Sequence, residues 1–249
     1  MSFEGKVAIV TGAARGLGRD YARSFAAEGA SVVIADVLGD LAEETAAEIR
    51  KTGAKALAVS VDVSDLASTR AMADQAAETF GRLDILVNNA AIWGDLESSP
   101  MMQVKPEYWD KVMAVNLKGP LLCTQAAAPH MQKNNWGRII NITSMGALMR
   151  GGPYGTSKLA LNHMTFTLAH ELGGFGVTVN GVGPGATYNE ATKSQVSPEV
   201  FQMLIAQQSV KRAGESSDFY AAMRYLCSDG AGWVTGQTLY VNGGFNTSF

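Results

Sequence analysis

Apolar residues along this chain follow two alternating spacings. Short unbroken runs rich in Val and Ile occupy residues 6–11, 31–36, 55–61, 83–88, 137–143, 177–182 and 238–241. Such runs, bounded by Gly and polar clusters, read as buried strands. Between them, residues 17–28, 40–52, 65–80, 106–131, 154–172 and 216–228 carry apolar positions three and four apart, the helical spacing. Leu17, Tyr21, Ala22 and Phe25 show it clearly. Gly53 stops the second helix, and Pro120 is predicted to bend the fourth. Strand–helix alternation predicts an α/β fold: a doubly wound parallel sheet of about seven strands, helices on both faces. Residues 1–249 read as a single domain, with no linker or repeat. The exception to regularity is 186–208, which leaves the carboxyl end of a strand and reads equally as a substrate lid or as an ordinary packed helix with a loop.

Composition changes this picture little. Of 249 residues, 47% are hydrophobic, enough for one sizeable core. A net charge of -3 gives no basic face for nucleic acid or anionic membrane. No apolar run reaches membrane-spanning length, and the first residues lack the apolar core of a signal peptide, so a cytoplasmic protein is expected. Cys123 and Cys227 read as reduced thiols on helices. With them, the scattered His130, His163 and His170 offer no ligand spacing, so no metal site is expected.

Chemistry enters at the strand ends. Gly12, Arg15, Gly16, Leu17 and Gly18 lie in a Gly-rich turn between the first strand and the first helix. Glycines there let the backbone approach a pyrophosphate, and the helix N-terminus supplies N–H groups and partial positive charge. The spacing differs from the commoner dinucleotide fingerprint, so its context carries the reading. Asp36, ending the second strand, can accept from adenosine ribose hydroxyls and repel a 2′-phosphate, which favours NAD over NADP. Arg15 argues the other way. Asp62 and Val63 follow the third strand, Asn89, Ala90 and Ala91 the fourth, all toward one edge of the sheet. Tyr154 and Lys158 are one helical turn apart. A phenol needs roughly 4 kcal/mol of differential stabilisation to titrate near neutrality, and a neighbouring ammonium works in that direction.

Thr11 to Gly18, Asp62, the run from Asn88 to Ala91, Asn116, Ser144, Tyr154 with Lys158, and Pro184 with Gly185 occur in an order that resembles the short-chain dehydrogenase/reductase family along essentially the whole chain. The resemblance implies a Rossmann-like fold, a nicotinamide cofactor, a small alcohol or ketone substrate and a homotetramer. It implies that Tyr154 exchanges a proton with the substrate oxygen, that Lys158 holds the nicotinamide ribose and lowers the Tyr154 pKa, that Ser144 hydrogen-bonds the reacting oxygen, and that Asn116 holds a water relaying protons from Lys158. Pro184, Gly185, Thr187 and Asn189 would meet the carboxamide end of the cofactor. Secondary alcohol dehydrogenases and ketone reductases look closest.

Three departures stand out. The interval from Ser144 to Tyr154 is shorter than the family's usual spacing; counting back the usual distance reaches Asn141, which has no hydroxyl. Ser144 is therefore retained, with Thr143 as its alternative. Ala91 replaces a glycine and requires a negative φ. Thr187 and Asn189 replace an aliphatic residue and a threonine. Trp93, Met145, Leu148, Met149 and Tyr188 are the candidate substrate contacts, suggesting an apolar pocket; Arg150 reads as an exposed cation or a carboxylate partner. Two other functions stay open: a 3-oxoacyl thioester reductase using NADPH, and a non-catalytic nucleotide-binding sensor or scaffold.

Overall fold

The computed structural model describes residues 2–93, 101–187 and 196–245. Seven strands form one sheet: β1 (Val7–Thr11), β2 (Ser31–Asp36), β3 (Ala56–Ser60), β4 (Ile85–Asn88), β5 (Gly137–Ile142), β6 (Val177–Pro184) and β7 (Thr238–Val241). Their order is β3-β2-β1-β4-β5-β6-β7, and every neighbouring pair is parallel. The chain winds outward from β1 to β3, then returns to β4 beside β1. That reversal opens a crevice at the carboxyl ends of β1 and β4.

Among the described residues, eight α-helices connect the strands: α1 (Gly16–Ala27), α2 (Gly39–Lys51), α3 (Leu66–Phe80), α4 (Pro106–Met113), α5 (Gly119–Lys133), α6 (Pro153–Leu172), α7 (Pro198–Gln207) and α8 (Ser216–Leu226). Alternate strand residues face opposite layers. Ala8 and Val10 join Tyr21 and Phe25 of α1, Ile49 of α2 and Phe219 of α8. Val7 and Ile9 join Met72 of α3, Cys123 of α5 and Leu168 of α6. Removing one of the large buried rings, Phe25 or Phe219, would cost about 3–5 kcal/mol. Helix ends follow local chemistry: the Asp65 carboxylate accepts from Ser68 N–H at 2.7 Å to start α3, and Gly81 ends it with φ 79°.

One expectation needs correction. Residues 106–131 keep helical backbone throughout, but the irregularity does not fall at Pro120. A π turn, Ala114–Lys118, separates α4 from α5, and Pro120 sits in the first turn of α5, where its missing N–H costs nothing. That π turn contains Asn116, whose side chain binds the Ile92 backbone outside the helix. On α8, Phe219, Tyr220, Met223 and Leu226 are buried, and Tyr225 is the large exposed side chain. On α6, by contrast, Leu159 and Phe166 are 55% and 63% exposed.

Candidate active site

The turn after β1 is held by its neighbours. Thr11 Oγ1 accepts from the N–H groups of Asn89 and Ala90 at 3.0 and 3.1 Å. The Asn89 amide donates to the Thr11 and Gly12 carbonyls at 2.9 and 3.1 Å. Asn89 thus builds the turn rather than pointing a free amide away from it. Gly12 has φ 65°, and a methyl at Gly18 would lie 2.2 Å from the Gly12 oxygen, so both glycines are sterically required. Arg15, exposed, precedes α1 without capping it through its side chain. The α1 N-terminus therefore keeps N–H groups for an outside anion. Leu17 packs against the adjoining core. Uncapped helix, glycine cradle and strand-end carboxylate together fit a dinucleotide.

Asp36 is nine-tenths buried at that cradle. One of its oxygens accepts from Ala14 N–H and the other from Leu38 N–H, both at 3.0 Å. These bonds fix the carboxylate's orientation and leave further lone pairs. Asp62 is exposed; hydrogen bonds from the Ser64 hydroxyl and N–H hold its carboxyl below the usual range. Val63 is buried against Gly119. Ala91 does not have a positive φ, since Asn135 is the only non-glycine residue with one among the described residues. Its methyl is therefore accommodated.

At the end of β6, Gly185 donates to the Val241 carbonyl at 3.0 Å, and a methyl there would lie 2.5 Å from Asn242 Cα. Pro184 closes the strand, and Thr187 bridges to Gly214. Tyr188 and Asn189 lie outside the described residues.

The candidate reactive groups sit around the start of α6. Pro153 in its first turn sets the backbone for the helix, which brings Tyr154 and Lys158 onto one face. Ser144 follows β5 and accepts from Gly146 N–H at 3.0 Å, and its hydroxyl and the Tyr154 ring both face Gly146. Burial pushes Tyr154 up to about 12, and the neighbouring Ser144 hydroxyl pulls the other way. Lys158 is buried, donates to the Ile142 carbonyl at 2.7 Å and stands 5.7 Å from the Tyr154 ring centre. Burial pulls it down to about 8.

The alternatives to Ser144 are committed elsewhere. Thr143 Oγ1 donates to the Val182 carbonyl at 3.4 Å and is buried. Asn141 accepts from Asn88 at 2.9 Å and donates to Thr165 Oγ1 at 2.8 Å. Asn116 accepts from Ile92 N–H at 2.8 Å and donates to the Ile92 carbonyl and to Ser157 Oγ at 3.1 and 3.2 Å. Both amide hydrogens are thereby used, so a water would have to take its remaining lone pair.

Leu148 and Met149 are partly exposed beyond Ser144, and Trp93 is half-buried after the β4 turn. Met145 is instead buried with Ala186 and Phe201, in a small cluster that includes Leu204 and Ile205 of α7. Over 186–208, the described part is thus a helix seated beside the Ser144 turn; residues 188–195 lie outside the described residues.

Sequence reasoning missed two partners. Thr11 organises the β4 turn, and Ser157 passes a hydrogen bond from Asn116 to the Tyr154 carbonyl, itself donating at 2.7 Å. A hydroxyl at each position, one ending a strand before glycine and one a helical turn after Tyr154, is the only signal either gives.

Residues 12–246 match the family described as Enoyl-(Acyl carrier protein) reductase. The chain is 37% identical to the 7alpha-hydroxysteroid dehydrogenase of Escherichia coli (strain K12), over 98% of this chain and 95% of that one. A solved 7α-hydroxysteroid dehydrogenase in complex with NADH and 7-oxo glycochenodeoxycholic acid superposes with a TM-score of 0.91 at 36% identity, covering 98% and 95%. A 3-oxoacyl-(acyl-carrier-protein) reductase of Staphylococcus aureus (strain Mu50) is also 37% identical, over 96% and 97%. A gluconate 5-dehydrogenase from Burkholderia cenocepacia, solved with NADP and tartrate, gives a TM-score of 0.93 at 32% identity, covering 100% and 98%.

Proposed function

The chain belongs to the short-chain dehydrogenase/reductase family, whose oxidoreductases act on hydroxyl and keto groups, and on that premise we propose that it interconverts a secondary alcohol and its ketone with NAD(H). The observation that carries this reading is the Ser144 hydroxyl set beside the Tyr154 phenol over Gly146, with buried Lys158 one turn away. A bound nicotinamide dinucleotide supplies the hydride acceptor or donor. Gly12, Gly16, Gly18 and the α1 N-terminus would hold its phosphates, Asp36 its adenosine ribose, Lys158 its second ribose, and the Pro184–Gly185 turn with Thr187 its carboxamide end. Asp36 selects NAD over NADP, because a 2′-phosphate would meet a carboxylate.

For ketone reduction, the Tyr154 phenol, protonated at neutral pH, donates its proton to the substrate oxygen while Ser144 donates a second hydrogen bond. For alcohol oxidation, Tyr154 must first ionise, and the Lys158 ammonium favours that step. Partly exposed Leu148 and Met149 offer an apolar wall for the substrate body, and Trp93 is a further candidate contact. We also propose a homotetramer, supported by the exposed apolar residues of α6 and by Trp233, 98% exposed. No helix among the described residues is long and apolar enough to cross a membrane. A cytoplasmic enzyme suits two buried free thiols.

Similarity to a 3-oxoacyl-(acyl-carrier-protein) reductase favours a second reading, reduction of a thioester-borne ketone. The test is a panel of secondary alcohols, ketones and one 3-oxoacyl thioester, each with NAD(H) and NADP(H), followed by the near-ultraviolet absorbance of the reduced nicotinamide. Turnover of simple alcohols with NAD is expected. Turnover of the thioester alone, with NADPH, would replace the first reading by the second. No hydride transfer anywhere would return the chain to a non-catalytic sensor or scaffold.

A further inference from the structure

We propose that Asn162 and Tyr240 form a positioning clasp for the catalytic helix. The inference rests on the reading of Tyr154 and Lys158 as catalytic, but its structural part stands apart from it. Asn162 lies one turn beyond Lys158 on α6. Its Nδ2 donates to the Tyr240 hydroxyl at 2.7 Å, and its Oδ1 accepts from Thr238 Oγ1 at 3.3 Å. Both ends of one amide are thus read by the edge strand β7, although β6 pairs directly with β7 and packs against the same helix.

The sequence of β6 makes the reach feasible. Tyr240 pairs in register with Gly183, and Thr238 with Gly181. A methyl at Gly183 would lie 2.5 Å from Tyr240 Cδ1, and one at Gly181 would lie 2.6 Å from Thr238 Oγ1. Neither glycine has a positive φ, so lateral space rather than backbone conformation explains them. The two β7 side chains cross strand positions that carry no side chain of their own. The same Gly183 methyl would lie 3.1 Å from Thr143 Oγ1, so the Tyr240 ring lies where β5 delivers Ser144 and β6 runs into Pro184 and Gly185.

The helix has three polar anchors on the sheet: Lys158 to Ile142, Asn162 to β7 and Thr165 from Asn141. The first is catalytic and the third is a turn further from the reacting end. The Asn162 anchor is the nearest one free of other duties. It fixes the height of the first turns of α6, and so the alignment of Tyr154 against Ser144. Catalysis is sensitive to such alignment, since displacement by about 1 Å can cost a hundredfold.

Tyr240→Phe keeps the ring and removes the oxygen that Asn162 reads. Steady-state kinetics with the alcohol oxidised fastest should show kcat lower by about tenfold with cofactor KM unchanged, and a higher pH midpoint for oxidation. Backbone amides in the first two turns of α6 should exchange hydrogen faster, by about tenfold. Asn162→Ala should do the same, and the double variant should be no worse than either single one. A lower melting temperature with unchanged kcat, pH midpoint and exchange would overturn the proposal, as would losses that add in the double variant. If the wild type transfers no hydride at all, the catalytic reading fails, and the exchange measurement alone decides whether the clasp exists.

Discussion

In the half proposed to hold the cofactor, polar groups are tied down by partners: Asp36 by two N–H groups, Thr11 and Asn89 by each other's backbone. In the half proposed to be catalytic, burial displaces the groups themselves, Tyr154 up to about 12 and Lys158 down to about 8. The first arrangement is a cradle that can exist before any ligand arrives. The second carries a buried amine against one carbonyl and a buried phenol against one hydroxyl. Such perturbed pairs cluster where chemistry is done, because a group held away from its ordinary titration range has free energy to exchange with a reacting partner. The halves should therefore fail differently when altered.

The largest effect is expected in the cradle. Gly18→Ala puts a methyl 2.2 Å from the Gly12 oxygen and 2.6 Å from the Asn89 amide. Something must move, at about 1–3 kcal/mol in stability, and cofactor binding measured by fluorescence titration should vanish together with turnover. Retained affinity would mean that the turn is not the cofactor site.

Ser144→Ala should come next. Losing one donor to a developing oxyanion costs about 2.7–4 kcal/mol in the transition state, read as kcat, with cofactor affinity preserved. Thr143→Val should leave kcat near wild type, because that hydroxyl serves the Val182 carbonyl. The reverse pattern would shift the reactive hydroxyl by one residue.

Lys158→Met separates the halves by stability. The folded-state pKa of Lys158 is lowered from 10.5 to about 8, so between those values the unfolded chain binds more protons. Wild-type stability contributed by this group should thus rise as pH climbs through about 8 toward 10.5, and below 8 the folded state bears the full penalty, roughly 3 kcal/mol. The variant loses the charge-assisted Ile142 hydrogen bond, worth about 1.5–3 kcal/mol. Net, it should be more stable than wild type by about 1 kcal/mol at pH 7 in urea unfolding, an advantage that disappears at high pH while activity is lost. A variant less stable at pH 7 would deny that Lys158 is a buried cost.

The smallest effect concerns specificity. Asp36→Ala should weaken NAD and narrow its preference over NADP by about tenfold, the ratio of kcat/KM values being the measure, with kcat little changed. It also removes two acceptors from backbone N–H groups, so weakening of both cofactors would accompany the change.

Much of this was legible in the sequence, for identifiable reasons. The strands and most helices followed from periodicity, since β-branched runs and apolar positions three or four apart reflect burial directly. The family and its chemistry followed from the order of the Gly-rich turn, Ser144, Tyr154 and Lys158. The π turn did not, because Val112, Val115 and Leu117 continue a helical pattern, and only the tertiary bonds of Asn116 to Ile92 and Ser157 reveal why the helix widens there. Proline was the visible signal and pointed to Pro120, a few residues too late. The partly exposed Leu148 and Met149 and the buried Met145 looked alike in sequence, since adjacent residues on one short turn face different surroundings. The link from Asn162 to Tyr240 was equally hidden: it joins residues far apart in the chain through space left by two glycines.

Tyr154 is proposed as the group that exchanges a proton with substrate. Hydride transfer by wild type and by Tyr154→Phe, measured with the same alcohol and NAD alongside a cofactor titration, tests it most directly. Loss of turnover by about 10²–10⁴ or more, with cofactor affinity unchanged, is the predicted result. A Tyr154→Phe enzyme that oxidises the alcohol at the wild-type rate would contradict it.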